Sequence, residues 1–558
     1  MPSSAGVIRE QRIAYFSMEC GVLSQIPTYA GGLGVLAGDI IRSSADLRIP
    51  LIGVTLVSRH GYFRQEVDED GNQHEHLSVW DPGRLFADTG VRVSVRIGGR
   101  DVRVRAWQFV QQSLTGGRVP LLFLDTDLPE NAPADRAITD RLYGDDRRVR
   151  FAQECVLGFA GVRILEALGY SIRKYHMNEG HSALLTLELL QHHDMDEDEV
   201  RERCVFTTHT PIEAGHDRFD YGLVDSQIED GATRQLLRQY GGEGELNMTL
   251  LALRLSAYVN GVAKRHREVS TALFRGYTIH SITNGVHSFT WTSPPFRRLF
   301  DRYLPGWANE PELLVRQQVI PNALIWQAHE EAKRSLIEYA NRLTGGSLCP
   351  ETLTVGFARR FTAYKRPVLL FSDLERLRKV AGCARLQVVM AGKAYPTDAG
   401  GKRLIAEVHR IARELAGEIE VVFIPDYDMD IAARMVAGVD IWLNTPERPM
   451  EASGTSGMKA AHNGVPNFSV LDGWWIEGCI EDVTGWAIGP PPENEVSHEE
   501  GLAWELDDLY NKLGYVIRPL YYRRRDEWIE MMNNAIGTVA YYFNTHRMMR
   551  RYVTEAYL

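Results

Sequence analysis

The sequence predicts an α/β protein in which two Rossmann-like domains face each other across a cleft. Three observations lead to this fold class. The chain has 558 residues, which is more than a single hydrophobic core usually organises. Short apolar runs typical of buried strands alternate with helical patterns in both halves. Beyond Pro350 this alternation becomes regular, as in a doubly wound parallel sheet that binds ligands beyond the carboxyl ends of its strands.

Residues 1–346 are predicted to form the amino-terminal domain. Short apolar runs predict strands over residues 13–17, 51–57, 120–124 and 204–209. Helical periodicity predicts helices over residues 148–168, 182–191 and 323–343, the last ending at a Gly-Gly pair.

Residues 347–525 are predicted to form the carboxy-terminal domain, and residues 526–558 to form helices that pack back on the first domain. The expected strands cover residues 352–358, 386–391, 418–424 and 440–444, with helices over 366–380 and 402–416. The closing helices are apolar on one side and basic near their end.

Composition excludes several classes of protein. The formal charge of −11 argues against nucleic-acid or membrane-surface binding. No apolar run is long enough to span a membrane, and residues 1–10 lack the apolar core of a signal peptide. Six scattered cysteines without a C-x-x-C pair favour a reducing compartment and provide no zinc site. We therefore expect a cytoplasmic protein without a structural metal.

The most informative segment is Glu-Ala-Ser-Gly-Thr-Ser-Gly-Met-Lys at residues 451–459. Backbone N–H groups at a glycine-rich helix start favour phosphate. Lys459, just inside that helix, could hold a phosphorylated aldehyde covalently. An ordinary Ser/Gly turn that caps a helix explains the segment about as well when it is taken alone.

Two further segments favour anions. Residues 29–38 contain four glycines ahead of a helical pattern, where an anion can approach backbone N–H groups. Residues 359–366 follow a predicted buried strand and contain four cations, although such runs are more often solvated surface. In an acidic protein this position favours phosphate binding.

Polar segments at residues 178–181, 208–211 and 283–287 each follow an apolar run, so we expect them on the rim of the cleft. Their Asn, His and Glu side chains could bind sugar hydroxyls, although each segment alone is more typical of a turn. Trp291, Trp474 and Trp475 could stack on sugars, with core packing the more usual role.

Together these segments resemble the α-glucan phosphorylases, the family of glycogen, maltodextrin and starch phosphorylases. The family motif Glu-Ala-Ser-Gly-Thr-Gly-Asn-Met-Lys matches residues 451–459 except at Ser456 and Gly457. The basic motif Lys-Arg-x-His-Glu-Tyr-Lys-Arg matches residues 359–366, with Arg, Thr and Ala replacing Lys, His and Glu. Gly-Gly-Leu-Gly is intact at residues 31–34. Residues 178–181 resemble the family's Asn-Asp-Thr-His, residues 207–210 its Thr-Asn-His-Thr and residues 283–285 its Thr-Asn-Gly. The motifs keep their order and span most of the chain.

The resemblance implies the GT-B arrangement, with pyridoxal 5′-phosphate in the carboxy-terminal domain. It implies phosphorolysis of terminal α-1,4-linked glucose from glycogen or maltodextrin, giving glucose 1-phosphate with retention. Inorganic phosphate would attack, with the cofactor phosphate as its proton relay. A homodimer is also expected, although the sequence leaves the oligomeric state open.

Site residues follow from the resemblance position by position. The catalytic set is Lys459, Arg360, Lys365 and His209, with Lys459 carrying the cofactor and Arg360 and Lys365 holding substrate phosphate. The remaining cofactor contacts would be Arg359, Tyr427, Thr455, Ser456, Gly32 and Trp291. The remaining substrate contacts would be Gly31, Gly32, Leu33, His181, Asn284, Tyr364, Glu451, Ser453 and Gly454.

Thr362 and Ala363 depart from the family pattern and could alter the glucan side of the cleft. The glycine loop lies near the start of the sequence, so the resemblance implies a short prokaryotic type without the regulatory extension. Two alternatives stay open. A nucleotide-sugar-dependent glucan synthase would share the fold but not need Lys459, and an inactive glucan-binding protein would not need the catalytic set.

Overall fold

A computed structural model describes residues 11–144, 146–382, 385–494 and 496–558. The segment screened for a signal peptide and Cys383 therefore lie outside the described residues. In the described part, no helix is both long and apolar enough to cross a membrane.

The first sheet has nine strands, of which the first seven are parallel. In spatial order its strands are His280–Ser281, Tyr258–Gly261, Cys204–Thr207, Ser171–Asn178, Gln11–Ser17, Leu51–Leu56, Arg118–Asp125, Arg100–Gln112 and Ala87–Ile97. The last two pair antiparallel with their neighbours. Strand Gln11–Ser17 lies in the middle, and all but its first two residues are buried. A sheet with helices on both faces requires such buried runs.

The second sheet has six parallel strands. Their spatial order is Glu420–Ile424, Leu386–Ala391, Leu353–Ala358, Ile441–Asn444, Asn467–Val470 and Gly485–Ile488. The two larger sheets and the helices around them give the mixed α/β architecture of the GT-B fold.

Each sheet has one point where the direction of strand addition reverses. In the first sheet it lies between Gln11–Ser17 and Ser171–Asn178, and in the second between Leu353–Ala358 and Ile441–Asn444. Loops that leave the carboxyl ends of the strands on either side of such a point diverge and leave a crevice. The glycine loop, the polar loop at residues 178–181 and the basic segment follow strands that flank these points, and the other two polar loops follow neighbouring strands of the first sheet.

The helices surround the two sheets and join their strands. In chain order they are Gly32–Asp46, Pro133–Arg136, Arg147–Cys155, Gly161–Ala167, Leu185–His192, Glu197–Arg203, Tyr221–Gln227, Gly231–Gly241, Met248–Arg254, Lys264–Leu273, Ser288–Trp291, Pro294–Tyr303, Asn322–Thr344, Leu374–Ala381, Ala399–Glu414, Met429–Gly438, Ser456–Ala461, Trp475–Gly478, His498–Asn511, Arg518–Arg523, Arg525–Asn534 and Thr545–Tyr552.

The helix predicted over residues 366–380 is wrong in its first half. The structure has short 3-10 turns at Ala363–Lys365 and Leu369–Phe371, and a helix only from Leu374 to Ala381. Pro367 explains the difference, because a residue that precedes proline is disfavoured in the α conformation. Arg366 indeed has a φ of +45°.

The helices near the predicted boundary at residue 346 pack on the second sheet. Ile325 of the helix Asn322–Thr344 lies in the same hydrophobic core as Leu353. The final helices pack against both halves of the chain. Trp528 belongs to the hydrophobic core of the second half, whereas Met548 and Tyr552 pack in the core of the first half, against the helix Gly32–Asp46. The exact division of the chain into domains stays a prediction.

A small antiparallel ribbon, Arg64–Val67 with Gln73–His76, reaches from the first half to the second. The Gln65 side chain donates to the carbonyl of Gly392 (2.9 Å), and its backbone N–H donates to Asp426 (2.8 Å). The Gln73 side chain donates to the carbonyl of Ala394 and accepts from its N–H, both at 2.9 Å. These bonds hold the two halves together beside the crevice.

Candidate active site

The crevice between the two halves contains a cavity of about 810 Å³. Residues from both halves line it, which brings the predicted anion-binding and sugar-binding segments to one space. Every predicted site residue lines it: Gly31, Gly32, Leu33, His181, His209, Asn284, Trp291, Arg359, Arg360, Tyr364, Lys365, Tyr427, Glu451, Ser453, Gly454, Thr455, Ser456 and Lys459. Trp474 and Trp475 instead pack in the core.

Lys459 lies on the short helix Ser456–Ala461 with only 7% of its surface exposed. Its Nζ atom is 3.8 Å from the centroid of the Trp291 ring, a cation–π distance. Burial lowers the pKa of the Lys459 amine to about 8, although the nearby Asp39 acts in the opposite direction. A substantial fraction of the amine is therefore neutral near pH 7–8 and able to act as a nucleophile.

The carboxylate of Glu451 pairs with two cations of the basic segment. Its Oε2 atom is 2.5 Å from Arg359 Nη2 and 2.6 Å from Lys365 Nζ. Burial alone would raise the pKa of Glu451, but these two cations lower it to about 2. Arg359 keeps two buried nitrogens, Nε and Nη1, without a hydrogen-bond partner among the described residues. Those donors remain able to bind an anion.

Arg360 is exposed to the cavity beside the glycine loop. A Cβ atom added at Gly31 would lie 3.2 Å from Arg360 Nη2, so the loop backbone and the guanidinium approach closely. Within the described parts of the chain, no hydrogen bond or ion pair engages the Arg360 side chain. A guanidinium beside backbone N–H groups at a helix start is suited to phosphate.

Glu19, which lies outside all of the sequence motifs, holds the glycine loop in place. Its Oε2 atom accepts from the backbone N–H groups of Ala30 (2.6 Å) and Gly31 (3.2 Å), and Tyr143 donates to Oε1 (2.7 Å). The N–H of Gly31 is therefore already bonded, whereas Gly32 and Leu33 begin the helix. A Cβ at Gly34 would lie 2.6 Å from Glu19, which explains this glycine.

Glu179 anchors the loop that carries His209. Its Oε2 atom accepts from the backbone N–H of His209 (2.7 Å) and from the Thr210 hydroxyl (3.0 Å). Burial raises the pKa of Glu179 to about 7 in spite of these hydrogen bonds. Glu179 also has a φ of +72°, and such strain in a non-glycine residue is often found at functional sites.

Several polar atoms that line the cavity are buried without a hydrogen-bond partner in the described structure. They include His209 Nε2, Asn284 Oδ1 and Ser453 Oγ. Burial lowers the pKa of His209 to about 3, so its ring is neutral at pH 7. Because buried polar groups are normally satisfied, these atoms are suited to a hydroxyl-rich ligand.

His181 belongs to a buried charged cluster in the same wall. Its Nε2 atom is 3.5 Å from Asp217, which pairs with Arg150 at 2.6 Å. Burial lowers the pKa of His181 to about 3. Arg150 and Asp217 also line the cavity and were missed, because isolated charges far apart in sequence form no motif.

Ser456, predicted to contact a cofactor phosphate, borders the cavity at the start of the helix Ser456–Ala461. Its Oγ atom accepts a hydrogen bond from Trp442 Nε1 (3.0 Å), so the hydroxyl is tied to the second sheet. Thr455 is the residue that precedes the helix Ser456–Ala461 and does not cap it through its side chain. Both residues still border the cavity.

Comparison with known proteins identifies the family. The family model described as carbohydrate phosphorylase matches residues 215–485. The chain is 39% identical to the maltodextrin phosphorylase of Thermococcus litoralis and 38% identical to the glycogen phosphorylase of Mycobacterium tuberculosis. Each match covers 98% of this chain and 70% of the relative. The glycogen phosphorylase of Aquifex aeolicus is 36% identical, over 98% of this chain and 86% of that protein. The chain therefore belongs to the carbohydrate phosphorylase family.

Proposed function

We propose that this protein is an α-glucan phosphorylase that releases terminal α-1,4-linked glucose as glucose 1-phosphate, with glycogen or maltodextrin as the donor. The observation that supports this most strongly is that one cavity contains three kinds of functional group. A buried amine at Lys459, anion-binding cations and unpartnered atoms suited to hydroxyls all face the same space. A pure binding protein would not need the amine.

The residues around Lys459 fit pyridoxal 5′-phosphate. The amine lies against the Trp291 ring, and Arg359 keeps two buried donors without partners. Tyr427, Thr455 and Ser456 border the same part of the cavity. Lys459 would hold this cofactor covalently and Arg359 would neutralise its phosphate. The chemistry that the cofactor supplies is a phosphate group that exchanges a proton with the substrate phosphate.

The other residues position the reactants. Arg360 and Lys365 would hold inorganic phosphate beside the first turn of the helix Gly32–Asp46, whose N–H groups and dipole favour an anion. His209 and Asn284 would bind sugar hydroxyls through their unpartnered atoms. The His209 loop is fixed by Glu179, so its backbone carbonyl could face positive charge that develops at the sugar. Such preorganised groups contribute most of the catalysis in this type of reaction.

A nucleotide-sugar-dependent synthase is the competing enzyme on the same fold. It would use the cations but not the buried amine of Lys459. A purified sample incubated with maltodextrin and phosphate should release glucose 1-phosphate, and a nucleotide sugar should not extend the glucan. Extension of the glucan from the nucleotide sugar without phosphate-dependent release of glucose 1-phosphate would reject the proposal.

A homodimer stays a prediction, which light scattering would test.

A further inference from the structure

The position of the Lys459 amine depends on the ring beneath it. Trp291 is 1% exposed and its ring lies 3.8 Å from Lys459 Nζ. No hydrogen bond of Lys459 Nζ to a described residue fixes the amine. The Trp291 ring is therefore the main feature that defines where the amine lies.

The ring is itself held by a buried carboxylate outside the cavity lining. Asp39 is 1% exposed, and its Oδ2 atom accepts from Trp291 Nε1 at 2.8 Å. The same oxygen accepts from the backbone N–H of His287 at 3.2 Å, in the loop that leads to Trp291. Asp39 thus fixes both the ring and the backbone before it.

Arg42 fixes Asp39 in turn. Its Nη1 atom donates to Asp39 Oδ1 at 2.9 Å, and its Nη2 atom donates to the carbonyls of Gly21 and Val22. Asp39 and Arg42 are both buried on the helix Gly32–Asp46. The helix that begins at the predicted phosphate loop therefore also supports the ring under Lys459.

We propose that Asp39 is a positioning residue for cofactor binding, which acts on Lys459 through Trp291. A carboxylate that accepts the indole N–H polarises the ring, makes its face more negative and strengthens its attraction for the amine. Asp39 does not touch the cavity, so it is not a catalytic residue. This inference rests on the proposed function, in which Lys459 holds pyridoxal phosphate.

The test compares cofactor retention in the wild type, Asp39→Asn, Trp291→Phe and the double variant. Asparagine keeps an acceptor but removes the charge, and phenylalanine keeps an aromatic face but cannot donate to Asp39. Each holoprotein is treated with hydroxylamine, and release of the cofactor is followed by absorbance. Thermal unfolding of each variant is recorded separately, so that a loss of stability is distinguished from faster release.

We expect each single variant to release the cofactor about tenfold faster than the wild type. The double variant should release the cofactor no more than about twofold faster than either single variant, because both substitutions disrupt the same interaction between Asp39 and the Trp291 ring. Asp70→Asn, which removes an exposed carboxylate, is the matched control and should match the wild type. If the rate increase of the double variant equals the product of the two single increases, Asp39 and Trp291 act independently, and this would overturn the inference.

Release from Asp39→Asn at the wild-type rate would also overturn the inference. If Asp39→Asn does not fold, the test rests on Trp291→Phe. This variant loses the hydrogen bond between the ring and Asp39, whereas the hydrogen bond between Asp39 and Arg42 remains. Release of the cofactor from Trp291→Phe at the wild-type rate would then show that Asp39 does not act on Lys459 through Trp291. A wild type without any pyridoxal absorbance would instead reject the proposed function.

Discussion

Glu451 Oε2 lies 2.6 Å from Lys365 Nζ in the wall of the interdomain cavity. The same oxygen pairs with Arg359, so one carboxylate keeps two cations side by side. This arrangement orders the cations before any anion binds, which is the preorganisation that electrostatic catalysis requires.

Replacing Glu451 with Gln should destabilise the protein. The change leaves Arg359 and Lys365 close together without their counter-ion, which for a buried pair costs about 3 kcal/mol. The thermal midpoint should fall, whereas Glu331→Gln, which removes an exposed partner of Arg298, should change it little. An unchanged midpoint in Glu451→Gln would show that the carboxylate is not needed as a counter-ion.

The pH dependence of this contribution can be stated from the lowered pKa. The pKa of Glu451 is about 2 in the folded protein and 4.5 as its ordinary value, so the unfolded chain binds a proton first as the pH falls. The difference in stability between the wild type and Glu451→Gln should be complete above pH 4.5 and shrink toward pH 2. Chemical denaturation at a series of pH values would measure it, and a constant difference would contradict this assignment.

Lys459 should capture the cofactor faster as the pH rises through about 8. Burial lowers the pKa of its amine to that value, and only the neutral amine attacks a carbonyl. Capture by cofactor-free protein can be followed by absorbance across pH 6.5–9.5, with Lys459→Ala as the control that folds but retains no cofactor. A midpoint near 10.4, the value of an ordinary exposed lysine, would contradict the buried site.

Replacing Arg360 with Ala should weaken the use of phosphate much more than that of glucan. The change removes charge-assisted hydrogen bonds to the anion, each contributing about 1.5–3 kcal/mol, so KM for phosphate should rise roughly 10- to 100-fold. Arg360→Lys should recover part of the loss because it keeps the charge but not the fork. Equal losses for phosphate and glucan would indicate a structural role.

Replacing Glu179 with Gln should stabilise the protein increasingly as the pH rises from 4.5 to 7. The pKa of Glu179 is raised to about 7, so the folded protein keeps a proton that the unfolded chain releases, and stability falls across that window. Glutamine does not titrate, so the free energy of unfolding of Glu179→Gln should not fall in this way. Its excess over that of the wild type should approach roughly 3 kcal/mol and stay constant above pH 7. Denaturation at pH 5 and pH 8 tests this, and an equal difference at both would contradict it.

Much of the architecture could be predicted from periodicity. The strand Leu386–Ala391 and the long helix Asn322–Thr344 were expected within a residue of their observed bounds, because each is a strong apolar pattern. The antiparallel hairpin formed by Ala87–Ile97 and Arg100–Gln112 was missed, since many of its residues are exposed and show no buried run. Its register depends on pairing rather than composition.

The candidate site could be predicted where it consists of motifs. The glycine loop and the segment around Lys459 are contiguous and matched a family pattern. Glu19 and Asp39 could not be found in this way, because each acts through a hydrogen bond to a residue that is distant in sequence or hidden in a helix. Only the fold brings such partners together.

The most direct test of the account follows the reaction of maltodextrin with inorganic phosphate by ³¹P nuclear magnetic resonance. The purified protein should form α-glucose 1-phosphate at the expense of inorganic phosphate, and Lys459→Ala should form none. Formation of the β anomer, or no new phosphate ester with a wild type that carries its cofactor, would contradict a retaining phosphorolysis at this site.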